Sequence, residues 1–335
     1  MAGDVILYLS EREVARALEE IDAVDVVSSA LVAHARGETV LPLEAHLAWN
    51  HAGEQVRSLS MPALVEGCAG VKIINGNPAN PARGLPRASG LTVLIDVQNA
   101  RPICVMEAAR ISCLRTAAVT ALSADLLGAH PIERIAILGA GALARCHLQL
   151  LPPRLTQLRE IRLFDMEPAR AAKLAARAAL TVVSQSAEQA IRGAQLIVAV
   201  TTTTSSYIPV DWLESGSLLV NVSLDDVLPE VVLHADKVFV DDWKLVSADE
   251  RRLLGRMLRR GEICGPGRPA TTATEGCRPL DGELGDLLIG AREGRSRPEE
   301  TIVVNPFGLA IEDIAVACRV YERASRLGLG TAIER

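Results

Sequence analysis

Apolar residues recur at helical spacing over residues 11–36 and again over 110–127, while short apolar runs at 56–60, 70–74 and 90–96 are separated by Pro, Gly and Asn. The first hundred residues therefore read as helix followed by short strands, an α+β unit. Around 78–86 the stretch NPANPARGLP holds too much Pro, Gly and Asn for a helix or an inner strand and is expected to be a surface loop, a common carrier of function. The helix over 110–127, with Ser112 or Thr116 as a possible cap, leads into a second region.

There the runs RIAIL, EIRLFD, QLIVAV, SLLVNV and DKVFVD alternate with helical or turn segments. That alternation is the signature of a doubly wound parallel α/β sheet. A polar stretch over 261–298, rich in Gly, precedes the strand TIVVN and a last helix over 311–326, which is expected to pack on the first domain. The expected division is 1–117 with 305–335 as a substrate-binding and dimerisation domain, and 118–304 as a Rossmann domain. At 335 residues, two cores rather than one are the ordinary outcome.

With 49% hydrophobic and 23% charged residues the chain is an ordinary globular one. A net charge of -6 disfavours generic attraction to nucleic acid or to an anionic membrane, and 3% aromatics leave few platforms for stacking bases. No apolar run approaches a membrane span, and MAGDVILYLSEREV lacks a basic segment before its short apolar run, so no secretory signal is expected. The seven cysteines are odd in number, scattered and without a C-x-x-C pair. They suggest neither a disulfide framework nor a zinc site, and hence a reducing, cytoplasmic compartment. No metal is expected.

The candidate chemistry starts at RIAILGAGALA, where Gly139, Gly141 and Ala144 form G-x-G-x-x-A between an apolar strand and an amphipathic segment. The first Gly makes the turn, the second admits a pyrophosphate to the backbone, and the small third residue lets helix pack on strand. Asp165 ends the next strand, 26 residues after Gly139, close to the position of the acid that binds the adenosine ribose. A carboxylate there repels a 2'-phosphate, so NAD is expected over NADP, with Arg162 and Arg170 nearby acting against that preference. A Gly-rich turn in another α/β protein is the competing explanation.

Candidate cofactor contacts are Gly139, Gly141, Ala142, Leu143 and Asp165, with Thr203, Asn221 and Ser223 from two further loops at carboxyl ends of strands. The threonines over 201–204 could equally satisfy turn backbone. In NVSLDD, Asp225 and Asp226 follow an apolar strand; one could be a cap or solvated charge and one an acid or base. Lys72, one of four lysines, lies inside GVKII, where an ammonium needs a partner, a bound anion or a route to water along its stem. Arg57 on the preceding strand is one candidate neighbour, with Arg87 and Arg115 as others.

RSLSMP, GVKIINGNPANPARGLP, RTAAVTALSADLL, GAGALA, VNVSLDD and NPFGLAIEDIA together resemble the ornithine cyclodeaminase and mu-crystallin family nearly end to end. RASG, YIPVDWL, ADKVFVDDW and NPFGLAIEDI look most like its subgroup from siderophore and antibiotic pathways. That subgroup oxidises N-(1-amino-1-carboxy-2-ethyl)glutamate with NAD, releasing 2-oxoglutarate and L-2,3-diaminopropionate. The resemblance implies that Arg57, Lys72 and Arg115 hold substrate carboxylate, that Arg115 also serves the cofactor side, that Lys72 relays a proton, and that Asp226 is the acid/base beside the nicotinamide. It also implies a homodimer formed through the first domain. Two departures point away from ornithine cyclisation: VLPEV follows Asp226 where a cyclodeaminase has Pro-Gly-Lys, and Arg87 falls where cyclodeaminases place a threonine. The alternatives are a cyclodeaminase with redox-neutral use of NAD and a non-catalytic nucleotide-binding protein like mu-crystallin.

Overall fold

The computed structural model describes residues 5–129, 131–267 and 276–334, in two compact units, 1–115 with 309–335 and 116–308. The chain begins with β1 (Val5–Leu9), α1 (Glu11–Leu18) and α2 (Ala23–Ala35). The single helix expected over 11–36 is thus two, because the Asp22 carboxylate accepts from Val24 N at 2.9 Å and Asp25 N at 3.3 Å and starts a new helix there. Next come β2 (Ala45–His51), β3 (Glu54–Val65), β4 (Cys68–Gly76), β5 (Ala88–Ile95) and β6 (Pro102–Glu107).

The Pro-rich segment between β4 and β5 is a loop containing a short 3-10 turn, Asn80–Arg83, pinned to β3 through Arg83 and Asn77 on Glu54. Helix α3 (Ala109–Leu127) follows. Its first amides are taken by Glu107, at 2.6 Å from Ala109 N and 3.1 Å from Arg110 N. Ser112 and Thr116 lie inside the helix, which corrects the expected cap; the sequence offered hydroxyls, and an acid just outside the first turn did the capping.

The second unit holds β7 (Arg134–Leu138), α4 (Ala142–Arg154), β8 (Glu160–Phe164), α5 (Pro168–Ala175), β9 (Thr181–Val183), α6 (Ala187–Ile191) and β10 (Leu196–Ala199). It continues through β11 (Leu218–Asn221), α7 (Pro229–His234), β12 (Lys237–Val240), α8 (Trp243–Ala248) and α9 (Leu253–Arg259). The stretch read only as polar contributes β13 (Ile263–Cys264), β14 (Arg278–Pro279), β15 (Gly282–Glu283) and α10 (Leu284–Leu288), before β16 (Ile302–Val304). The chain then returns to the first unit with α11 (Ala310–Leu327) and β17 (Thr331–Glu334).

The second unit's sheet is parallel throughout, in the order β9-β8-β7-β10-β11-β16-β12-β15. The run β9-β8-β7-β10-β11 reverses direction between β7 and β10, the switch point at which doubly wound sheets bind ligands. Its central strands are buried on both faces, so they read as continuous apolar runs rather than alternating ones. The fold is the expected one: a doubly wound Rossmann domain with an α+β unit.

The first unit's sheet is mixed, in the order β17-β1-β6-β5-β4-β3-β2. Helix α11 lies on one face, so close to β4 that a Cβ on Gly70 would stand 2.9 Å from Ile314 Cδ1. Cys68 on β4 and Cys318 on α11 form a disulfide across 250 residues. This corrects the reading of the cysteines as unpaired, and it removes the cysteine argument for a reducing compartment. Scatter along the chain hid a pair that the fold brings together. Loss of the bridge is expected to cost roughly 2–5 kcal/mol. Among the described residues no helix is long and apolar enough to cross a membrane, and no His, Cys, Asp and Glu cluster is arranged to hold a metal.

Candidate active site

The glycine fingerprint sits at the carboxyl end of β7. Gly139 has φ +102°, and a Cβ there would stand 2.8 Å from the Val200 carbonyl oxygen, so only glycine makes this turn. Gly141 caps α4, and a Cβ on it would meet nothing within 4 Å; its bareness opens the backbone outward. Ala144 is fully buried. Ala142 and Leu143 begin α4 and bring its first amides to the same place. Asp165, beyond the end of β8, accepts from Ala140 N at 2.7 Å and from Glu167 N at 2.8 Å, so its carboxylate is held beside the glycine turn. Arg162 is committed to Glu160 and to the carbonyls of Gln189 and Arg192, and Arg170 pairs with Glu167. Both cations that opposed a preference for NAD therefore have other partners.

These residues fit a dinucleotide: a turn that only glycine can make, an open second glycine and a carboxylate beside the turn. Further along α4, His147 is fully buried and its pKa is pushed down to about 4 by burial. Its Nδ1 donates to the Leu143 carbonyl at 2.8 Å, which leaves Nε2 to accept from Thr120 Oγ1 at 2.9 Å. It is a neutral structural histidine.

At the carboxyl end of β11 the two adjacent acids have separate roles. Asp225 is bound by Arg252 at 2.9 Å and Arg256 at 3.0 Å, an anchor for α9 rather than a cap or a solvated charge. Asp226 is fully buried, and among the described residues no cation pairs with it. Thr201 Oγ1 donates to it at 2.6 Å, and the Ser223 hydroxyl donates to its other oxygen. The Tyr207 hydroxyl also lies near enough to favour its ionised form. Burial raises the Asp226 pKa, and the hydroxyls oppose that rise without cancelling it. Between Ser223 and Asp225, Leu224 is held at φ +75°, a costly conformation for a branched side chain that turns the chain at this point.

The other expected contacts are placed less uniformly. Thr203 satisfies turn backbone: its hydroxyl donates to the Ser205 carbonyl at 2.7 Å and accepts from Ser205 N at 3.0 Å. Asn221 is buried with Nδ2 donating to Asn305 Oδ1 at 2.7 Å. Thr201 and Tyr207 were missed as site residues; the threonine run and YIPVDWL drew notice, yet nothing in either string says which hydroxyl turns inward.

In the first unit Lys72 is 1% exposed, and its Nζ lies 2.5 Å from Asp313 Oδ2 and 3.5 Å from Ser112 Oγ. Its stem does not reach water, and its partner is Asp313, an acid on α11. Burial lowers its pKa, with Asp313 opposing that fall. Arg115 lies alongside, Nη1 at 2.8 Å from Glu312 Oε2 and Nε at 3.3 Å from Asp313 Oδ2. Lys72, Arg115, Glu312 and Asp313 thus form a buried quartet of two cations and two anions. Arg57 is half-buried on the same sheet face as Lys72 but opposite Gly76, four positions along β4, roughly 13 Å away at ~3.3 Å per residue. Arg87 is exposed, one residue before β5, and its carbonyl accepts from Asn77 N at 2.9 Å. Glu312 and Asp313 were missed because 240 residues separate them from Lys72.

A doubly wound dinucleotide-binding domain carrying a buried acid at a strand end, joined to an α+β unit with buried cations, defines a class of pyridine-nucleotide enzyme. The family model for ornithine cyclodeaminase/mu-crystallin matches residues 5–327, and the chain belongs to that family. It is 30% identical to the N-((2S)-2-amino-2-carboxyethyl)-L-glutamate dehydrogenase of Staphylococcus aureus, over 98% of both chains. It superposes on the crystal structure of CmnK with a TM-score of 0.91 at 37% identity, covering 99% of this chain and 98% of that one. An archaeal alanine dehydrogenase dimer with bound NAD matches with a TM-score of 0.84 at 26% identity, over 98% and 99% of the two chains.

Proposed function

We propose that this chain is an NAD-dependent dehydrogenase acting on an amino acid, and specifically that it cleaves N-(1-amino-1-carboxy-2-ethyl)glutamate to 2-oxoglutarate and L-2,3-diaminopropionate. The observation that carries the reading is Asp226: a buried carboxylate, held by hydroxyls and unpaired with any cation among the described residues, on the loop after a strand in the same sheet as the glycine fingerprint. The full-length likeness to the S. aureus dehydrogenase supports the substrate. NAD held by Gly139, Gly141, Ala142, Leu143 and Asp165 would supply a two-electron hydride acceptor.

The chain's own residues do the rest. Oxidation of the glutamyl Cα–N bond leaves a C=N bond, water adds to its carbon, and the C–N bond breaks to give the keto acid and the free amine. Asp226, as carboxylate, takes a proton from the nitrogen or the attacking water and returns it to the departing amine. A raised pKa makes it a readier proton acceptor than an ordinary aspartate while still letting it give the proton back. Lys72 and Arg115 hold carboxylate as preformed charges, and Arg57 and Arg87 supply further guanidinium groups for a substrate with three carboxylates. The reading places the reaction in the cytoplasm.

It also makes the protein a homodimer. The face of the mixed sheet away from α11 is apolar and uncovered in the single chain: Leu47, Ile73 and Leu91 are exposed, and Pro62, Val71 and Val93 beside them are half-buried. A second copy of this chain buries such a face by its own symmetry. Light scattering is expected to show a dimer that Ile73→Asp splits.

The function is tested by incubating the protein with NAD and the conjugate and following NADH. NADH formation that disappears in Asp226→Asn is expected. No NADH from the conjugate overturns the substrate, and full activity in Asp226→Asn overturns the assigned base.

A further inference from the structure

The two anions of the buried quartet come from adjacent residues of α11, and the two cations from β4 and α3. We propose that Asp313 and Glu312 are positioning residues: α11 sets the place and charge of Lys72 and the orientation of Arg115, and so prepares the carboxylate-binding cations before substrate arrives. This deepens the functional reading and rests on its assignment of Lys72 and Arg115 to substrate.

The geometry carries the inference. One oxygen of Asp313 serves both cations, Lys72 at 2.5 Å and Arg115 at 3.3 Å, so it fixes their separation as well as their charge. Glu312 takes the other end of the Arg115 guanidinium at 2.8 Å, leaving that plane one orientation. Both carboxylates are fully buried, which a sequence maintains only when the charges answer one another. The position of α11 is secured next to the quartet by the Cys68–Cys318 bridge: Cys68 precedes Lys72 by four residues on the same strand face, and Cys318 follows Asp313 by five on the same helix.

Charged and polar groups facing Lys72 are Asp313 and Glu312 from α11 and Arg115 and Ser112 from α3; its strand neighbours Met61 and Thr92 carry no charge. Removing the Asp313 charge takes away the largest influence that favours the ammonium and leaves burial and Arg115, which favour the neutral amine, against Glu312.

The test uses the full-length protein. Only four lysines occur, so the Lys72 signal in isotope-labelled lysine NMR is identified by its loss in Lys72→Met. In Asp313→Asn that signal is expected to titrate at lower pH than in the parent, and Asp313→Glu is expected to restore it. With the conjugate as substrate, kcat/KM is expected to fall about 10²-fold in Asp313→Asn, its basic limb moving to lower pH, while NADH affinity stays unchanged and reports an intact second unit. Should Asp313→Asn fail to fold, Asp313→Glu decides: a parent-like Lys72 titration with a raised KM and retained NADH affinity supports the role, because the charge is kept and its place is moved, and an unchanged KM overturns it. Unaltered Lys72 titration and unaltered kinetics in the folded variants overturn it. If Lys72→Met itself leaves kcat/KM untouched, the assignment of Lys72 to substrate has failed instead, a result the titration of Lys72 does not depend on.

Discussion

Lys72 in the first unit and Asp226 in the second are both removed from water, yet they are stabilised by opposite means. Lys72 is met by full charges, with Asp313 on its ammonium and Arg115 and Glu312 completing a neutral set. Asp226 is met by hydroxyls alone, those of Thr201, Ser223 and Tyr207, while the arginines of that region go to its neighbour Asp225. A countercharge keeps a buried group ionised; hydroxyls satisfy a carboxylate and still let it be protonated. The first arrangement suits a group that binds an anion and the second a group that exchanges protons. Two adjacent aspartates thus differ by the company they keep: arginines anchor Asp225, and under the proposed function Asp226 is left for chemistry.

Substitutions can break this contrast, beginning with Asp226→Asn, which is expected to lower kcat about 10²- to 10⁴-fold with NADH affinity unchanged. In the parent, activity is expected to rise with pH as Asp226 ionises, above the ordinary aspartate range, and Asn is expected to abolish that acid limb. Lys72→Met comes next. It is expected to weaken kcat/KM by roughly 2–5 kcal/mol, expressed in KM more than in kcat, because it removes a binding charge and leaves its counter-ion behind.

Smaller effects of opposite sign sharpen the account. Ser223→Ala removes a donor that favours the carboxylate, so the acid limb is expected to move to higher pH and activity at neutral pH to fall less than about tenfold. Asp225→Asn removes a like charge that raises the Asp226 pKa, so the limb is expected to move slightly to lower pH. Its main cost is stability, about 1–3 kcal/mol in a denaturant melt, since Arg252 and Arg256 are partly solvated and lose less than fully buried partners would. Equal shifts in both variants would mean that the pH dependence belongs to some group other than Asp226.

The Rossmann half was legible because its signals are local. The apolar run RIAIL, the G-x-G-x-x-A turn and Asp165 lie within one βαβ unit, where spacing maps onto geometry. Lys72 was legible as a problem, an ammonium inside an apolar strand, though its solution lay on α11 at the far end of the chain. The same distance hid Cys68–Cys318. The Asp226 hydroxyls were invisible for another reason: Thr201 and Thr203 are near neighbours in one polar run, and only the turn decides that the first serves the acid and the second the backbone. Asp22 and Glu107 show a third limit, where one acidic residue at a helix start outweighed the longer helical pattern or the hydroxyls first considered.

The most direct test of the account counts products in one sample: NADH, 2-oxoglutarate and L-2,3-diaminopropionate from the conjugate with NAD, beside proline and ammonia from ornithine under the same conditions. The account predicts the three products of the conjugate in equal amounts and no proline from ornithine. Proline and ammonia formed without net NADH, with no 2-oxoglutarate from the conjugate, would contradict it and make the protein a cyclodeaminase.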